Sequence, residues 1–139
     1  MPIQPRLELQ MPRFRNLAAG LIGASVLASA SAAEAHPRVV STTPGSGAVV
    51  SRPTNVQLRF SEKLVGPMTG ADVLMTGMPG IPRHNPVKMT GFSANLAADG
   101  KTLNLVRNAP LPAGRYTVAW HAVSVDTHRV AGRFMFAVK

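Results

Sequence analysis

Asp126 and His128, near the C-terminal end of the chain, have the types and spacing to hold a metal ion. They lie in Val125-Asp126-Thr127-His128-Arg129-Val130-Ala131-Gly132, between two stretches that read as strands. On an extended backbone, residues two apart share a face, roughly 6.6 Å apart at about 3.3 Å per residue, which leaves room for one ion between the side-chain tips. Gly132 is expected to form the turn before the last strand. Taken alone the pair is a weak signal, because a structural Asp–His hydrogen bond that ties down a turn explains it equally well. A zinc site on His121 and His128 lacks the further protein ligands that zinc requires. A Ser-His-Asp hydrolase would need an activated serine, and Ser124 is not flanked by the glycines of a nucleophile elbow. His121, directly after Trp120, reads as facing solvent or packing across the sheet.

A second imidazole comes from the other end. Arg13 and Arg15 precede an uncharged, small and apolar run from Leu17 to Ala30, and Ala33-Glu34-Ala35 closes the segment with small residues where a signal peptidase reads them. This is the layout of a secretory signal peptide over residues 1–35, with Met11 as a possible true start. The run is too short and too rich in Ala, Gly and Ser to favour the alternative, an uncleaved membrane anchor. Cleavage between Ala35 and His36 would leave His36 with a free α-amine beside its imidazole, a nitrogen pair suited to copper(II). Pro37 follows and has no amide N–H to deprotonate and bind metal. The remaining ligands would therefore have to come from elsewhere in the fold. Considered by itself, a histidine at that place reads first as an accident of cleavage.

The elements that must position these residues all read as strands. Val56, Leu58 and Phe60 alternate with polar neighbours, as do Leu103 and Leu105, then Tyr116, Val118 and Trp120, then Phe134, Phe136 and Val138. Shorter candidates are Arg38 to Ser41, Ala71 to Met75, Val87 to Thr90 and Phe92 to Leu96. Turn residues separate them at Thr43 to Gly47, Ala98 to Lys101 and Ala109 to Gly114. About seven or more short strands in roughly a hundred residues indicate an all-β fold, a single antiparallel sandwich or small barrel over residues 36–139. The large aromatic residues belong to its core.

Composition narrows the chemistry. The apolar fraction is 45%, enough for a globular core, and there is no cysteine, so disulfides and thiolate metal sites are excluded. The formal charge is +9, but the 15 Lys and Arg are scattered singly without interleaved aromatics, which argues against nucleic acid. One stretch does not suit a strand. Met75 to Pro86 holds two Gly and three Pro and should be an irregular loop. It carries Met75, Met78 and His84, soft and borderline donors suited to copper(I), although methionines also fill irregular gaps in cores.

Taken together and in order, several motifs resemble the CopC family of periplasmic copper-resistance proteins. They are His36 after a signal peptide, Phe60-Ser61-Glu62-Lys63-Leu64, Met75-Thr76-Gly77-Met78-Pro79-Gly80, Ala98-Asp99-Gly100-Lys101-Thr102-Leu103, Pro112-Ala113-Gly114-Arg115-Tyr116-Thr117-Val118, Trp120-His121 and Ser124-Val125-Asp126-Thr127-His128. The resemblance covers essentially the whole chain from His36. It implies an immunoglobulin-like β-sandwich that carries copper without acting on a substrate. It also implies copper(II) ligation by His36, through amine and imidazole, with Asp126 and His128, and Glu62 as an outer or occasional ligand. The loop with Met75, Met78 and His84 corresponds to a copper(I) site. A CopD-like inner-membrane transporter or other periplasmic copper proteins are the implied partners, and the protein is expected to be a monomer.

Two departures bear on these expectations. Ile81 and Val87 stand where copper(I)-binding relatives carry further methionines, which weakens the loop site. Arg129 replaces the proline common after the second histidine and adds a positive charge near the copper(II) site. Two other functions compete. A histidine-brace oxidative enzyme uses a similar copper site, but the chain has a single Trp and a single Tyr and shows no flat aromatic face for a polymer. An immunoglobulin-like interaction module with incidental histidines is the other.

Overall fold

The alternating stretches form strands because one side of each pleat is apolar and finds an apolar partner across the sandwich. The computed structural model describes residues 36–139. The expected signal peptide, its cleavage point and the Met11 start lie outside the described residues. The strands are β1 (Val39–Thr43), β2 (Val49–Val50), β3 (Asn55–Phe60), β4 (Gly70–Gly77), β5 (Val87–Lys88), β6 (Phe92–Leu96), β7 (Thr102–Arg107), β8 (Gly114–Val123) and β9 (Arg129–Val138), with a 3-10 turn at Gly66–Met68. They make a four-stranded sheet, β1-β3-β7-β6, and a five-stranded sheet, β2-β9-β8-β4-β5. All neighbours are antiparallel except β2, which runs parallel to β9.

The core lies between the sheets. Val56, Leu58, Phe60, Leu103 and Leu105 come from the smaller one, and Val73, Met75, Tyr116, Val118, Phe134, Phe136 and Val138 from the larger. Phe60 meets Trp120 edge to face across the interior at 5.3 Å between ring centres, while Tyr116 stacks on Phe136 at 5.4 Å. The Tyr116 hydroxyl donates to the Pro112 carbonyl at 2.6 Å, so a buried ring keeps a partner for its polar end. On the outer face of the smaller sheet, Gln57, Asn104 and Asn95 lie in register and hand amide hydrogen bonds across three strands at 2.8 and 3.3 Å. That face is polar throughout its middle row, as alternation requires.

Two local expectations are corrected. Gly132 is not a turn: it lies inside β9, opposite Trp120. A Cβ there would stand 2.5 Å from Trp120 Cζ2, so the indole occupies the space a side chain would need. Gly132→Ala is expected to cost about 1–3 kcal/mol, the usual penalty for overpacking a core. It should also shift the Trp120 emission maximum; a thermal melt and a fluorescence spectrum coincident with the parent protein's would contradict the packing role. The start of the irregular segment is the second correction. The strand expected over Ala71 to Met75 reaches Met75 and continues to Gly77, and the Met75 side chain points inward beside Val73 and is 8% exposed. The irregular segment therefore begins only at Met78.

Candidate metal centre

The chain between β8 and β9 holds both Asp126 and His128, and it is a turn, not an extended strand. The Thr127 amide donates to the Ser124 carbonyl at 2.8 Å, and Thr127 itself sits at φ 75°, a left-handed conformation uncommon outside Gly and Asn. The bend brings the side chains closer than extended spacing would: Asp126 Oδ2 lies 3.0 Å from His128 Nδ1. The approach is off the line of a ring N–H, and Nδ1 is buried without a hydrogen-bond partner. Asp126 Oδ1 accepts from the Ser124 hydroxyl. That bond, with a further contribution from His128, holds the Asp126 carboxyl below its ordinary range, so it remains an anion.

His36 arrives from a segment about ninety residues earlier in the sequence. Its ring centre is 4.6 Å from that of His128, with the planes tilted by 57°. Pro37 is buried and Val39 enters β1, which fixes the direction from which the histidine approaches. Residues 61–65 tie the two segments together. The Ser61 amide donates to the Arg38 carbonyl at 2.8 Å, and the Arg38 amide donates to Ser61 Oγ at 3.0 Å. From the same segment, the Lys63 carbonyl accepts from the Val125 amide at 3.1 Å and the Val65 amide donates to the Val123 carbonyl at 2.8 Å. Buried Thr69 adds a bond from the Val123 amide to its hydroxyl at 3.2 Å. Sequence reasoning assigns only Glu62 within this segment. The clamp uses its neighbours, largely through backbone groups, which carry no residue-type signal.

Glu62 lies in the clamp, is partly exposed, and enters no ion pair among the described residues. Arg129 is exposed at the first position of β9. His121 faces outward from β8, with its ring over Gly70. Among the described residues, no three His, Asp or Glu side chains stand arranged around a single point. The donors nevertheless suit copper(II): two imidazoles within ring contact, an ionised carboxylate, and a buried ring nitrogen with no hydrogen-bond partner.

The methionine-containing loop lies at the other end of the molecule. β8 runs from Gly114, beside Gly77 at the root of the loop, to Val123 beside the D-x-H turn, so about 30 Å separates the two regions at ~3.3 Å per residue. Met78 is exposed and bridges to Ile81, while Met75 stays in the core. His84 Nδ1 is 2.7 Å from the Asn85 carbonyl, which can only accept, so Nδ1 carries the proton. Nε2 then presents a lone pair that is buried and without a partner. Orientation of one ring nitrogen by a carbonyl is the usual support for a metal-binding histidine. His84 also lines an open cleft of about 610 Å³ over the outer face of the larger sheet, with Arg83, Arg115 and Met135.

Comparison with known proteins agrees with this architecture. Residues 39–139 match the CopC domain. The chain is 41% identical over 119 residues to Copper resistance protein C of Escherichia coli, covering 86% of this chain and 94% of that one. It is 42% identical over 119 residues to Copper resistance protein C of Pseudomonas syringae pv. tomato, covering 86% and 92%. Its fold superimposes on the crystal structure of PcoC, described as a methionine-rich copper resistance protein from Escherichia coli, with a TM-score of 0.68 and 40% identity over 76% of this chain and all of that one. CopC from Methylosinus trichosporium OB3b aligns with a TM-score of 0.60 and 26% identity, over 75% and 94% of the two chains. With a family match over most of its length, close relatives named for copper resistance and a shared β-sandwich, the chain belongs to the CopC family of copper-resistance proteins and is not an enzyme.

Proposed function

We propose that the protein is exported to the periplasm, loses residues 1–35, and there sequesters or carries copper(II) as a monomer. The ligands are the α-amine and imidazole of His36, the Asp126 carboxylate and the His128 imidazole, with Glu62 beside them as an outer or occasional ligand. The observation that carries this reading is the 4.6 Å approach of the His36 and His128 rings from opposite ends of the chain. Nothing in core packing requires two imidazoles to meet at a sandwich rim. The bound copper is cargo, passed to a CopD-like inner-membrane transporter or another periplasmic copper protein. Copper(I) is held separately by the loop, at Met78 and His84; Ile81 and Val87 make that site weaker than one rich in thioethers, and Met75 stays in the core.

Electron paramagnetic resonance of the mature protein loaded with one equivalent of copper(II) tests the main site. A tetragonal signal with three nitrogen donors is expected, from one amine and two imidazoles. One nitrogen or none would overturn the assignment. Acidification should weaken binding, because the amine and both imidazoles must be unprotonated to bind. Asp126 responds last: its carboxyl is held below the ordinary carboxylate range, so it is already ionised when the nitrogens compete with protons. A competition titration over a pH series should therefore show affinity falling from neutral pH downward. Affinity constant until the carboxylate range, followed by a sudden loss, would point to a carboxylate-only site.

A further inference from the structure

We propose that Ser124 is a positioning residue for copper(II), holding one oxygen of Asp126 so that the other faces His128, where the metal would bind. This rests on the reading that Asp126 and His128 hold copper. Asp126 is exposed on a turn, so packing does not select its rotamer. The Ser124 hydroxyl does. Ser124 is 0% exposed, and its Oγ donates to Asp126 Oδ1.

The serine is itself immobile. Its amide donates to the His128 carbonyl at 3.0 Å, its carbonyl accepts from the Thr127 amide at 2.8 Å, and it bridges to Leu64. A hydroxyl has one proton to give, and two acceptors compete for this one: the Asp126 carboxylate and, at 3.3 Å, the His128 carbonyl. The charged acceptor makes the stronger bond. The other route by which the turn could hold the carboxylate, from the His128 amide, is long at 3.4 Å. With Oδ1 held on the serine, Oδ2 is the oxygen 3.0 Å from His128 Nδ1. A hydroxyl rooted in the core thus sets the carboxylate at the rim, and removing it frees Asp126 to turn to solvent.

The test is a double-mutant cycle on mature protein, read by copper(II) competition titration and electron paramagnetic resonance. Ser124→Ala should weaken copper(II) binding about 10- to 100-fold, the usual cost of losing a group that orients a ligand, and change the copper hyperfine splitting. Ser124→Thr, which keeps the hydroxyl, should restore the parent spectrum. In an Asp126→Asn background Ser124→Ala should cost less than about twofold, since nothing remains to be positioned. An equal cost in both backgrounds would make Ser124 merely structural and overturn the proposal. So would parent-like affinity in Ser124→Ala while Asp126→Asn binds weakly. If Asp126→Asn itself binds like the parent protein, the underlying copper(II) site is wrong instead. Should Ser124→Ala not fold, a crystal structure of copper(II)-loaded parent protein decides: Ser124 Oγ on one Asp126 oxygen and copper on the other supports the proposal, and Oγ turned away overturns it.

Discussion

Extending the mature protein by one glycine ahead of His36 is expected to lower copper(II) affinity by more than about 100-fold, and His128→Ala should do the same, since even losing a group that only orients a ligand costs ~10–100-fold. The two changes act on different atoms. The added residue converts the α-amine of His36 into an amide and moves the terminal amine away, leaving the imidazole in place. Pro37 cannot compensate, because it has no amide hydrogen to lose. The alanine removes the ring that meets His36 at 4.6 Å. Neither touches the sandwich core: His36 is exposed and His128 is only partly buried. The melting temperature of the metal-free protein should therefore be nearly unchanged for both. Competition titration against a chelator of known affinity checks this. Undiminished binding by the extended protein would remove the amine from the site, and undiminished binding by His128→Ala would remove the pairing of the chain ends.

Met75→Ala should have the opposite signature. Met75 is 8% exposed and packs in the core beside Val73 and Tyr116, with its Cε 3.3 Å from where a Gly114 side chain would start. Truncating a buried methionine to alanine costs about 2–5 kcal/mol through lost burial and the cavity left behind. In a domain of this size that lowers the melting temperature by about 10 °C or more. Copper(I) affinity of the folded fraction should change little, whereas Met78→Ala and His84→Ala should reduce it without a comparable loss of stability. Chemical denaturation and a copper(I) competition assay on the three variants separate the roles. A Met75→Ala protein of parental stability that has lost copper(I) would place its sulfur on the metal and not in the core.

These predictions separate what local pattern carries from what it does not. Alternation in Val56 to Phe60, Tyr116 to Trp120 and Phe134 to Val138 makes the strands readable, because side-chain period and burial are the same fact in a sheet. Alternation does not say where a strand stops. β8 and β9 both run further than their apolar stripes, since their backbones pair along ten residues each regardless of side chain. For this reason local pattern makes Gly132 a turn and starts a loop at Met75, where a strand also ends, and the fold keeps both residues inside strands. Each is set by a neighbour distant in sequence, Trp120 in one case and Gly114 in the other.

The D-x-H pair shows the same division at the site. Residue types alone determined the chemistry on offer: no thiolate, four separated imidazoles, one carboxylate two residues from a histidine, and a short set of thioethers. They also carried the family, because the motifs are short but ordered along the whole domain. Tertiary structure decided how those groups are held. Asp126 and His128 lie on a left-handed turn and not on an extended strand, so the carboxylate rests against the ring. The segment around Ser61 and Lys63 joins the stretch after His36 to the D-x-H turn, largely through backbone hydrogen bonds, which have no signature in residue identity. The buried Ser124 hydroxyl reaches Asp126 only because the turn folds back over it. Donor chemistry is a property of side chains and survives in a sequence. The geometry that aims the donors belongs to backbone pairing between distant segments, and only the folded chain contains it.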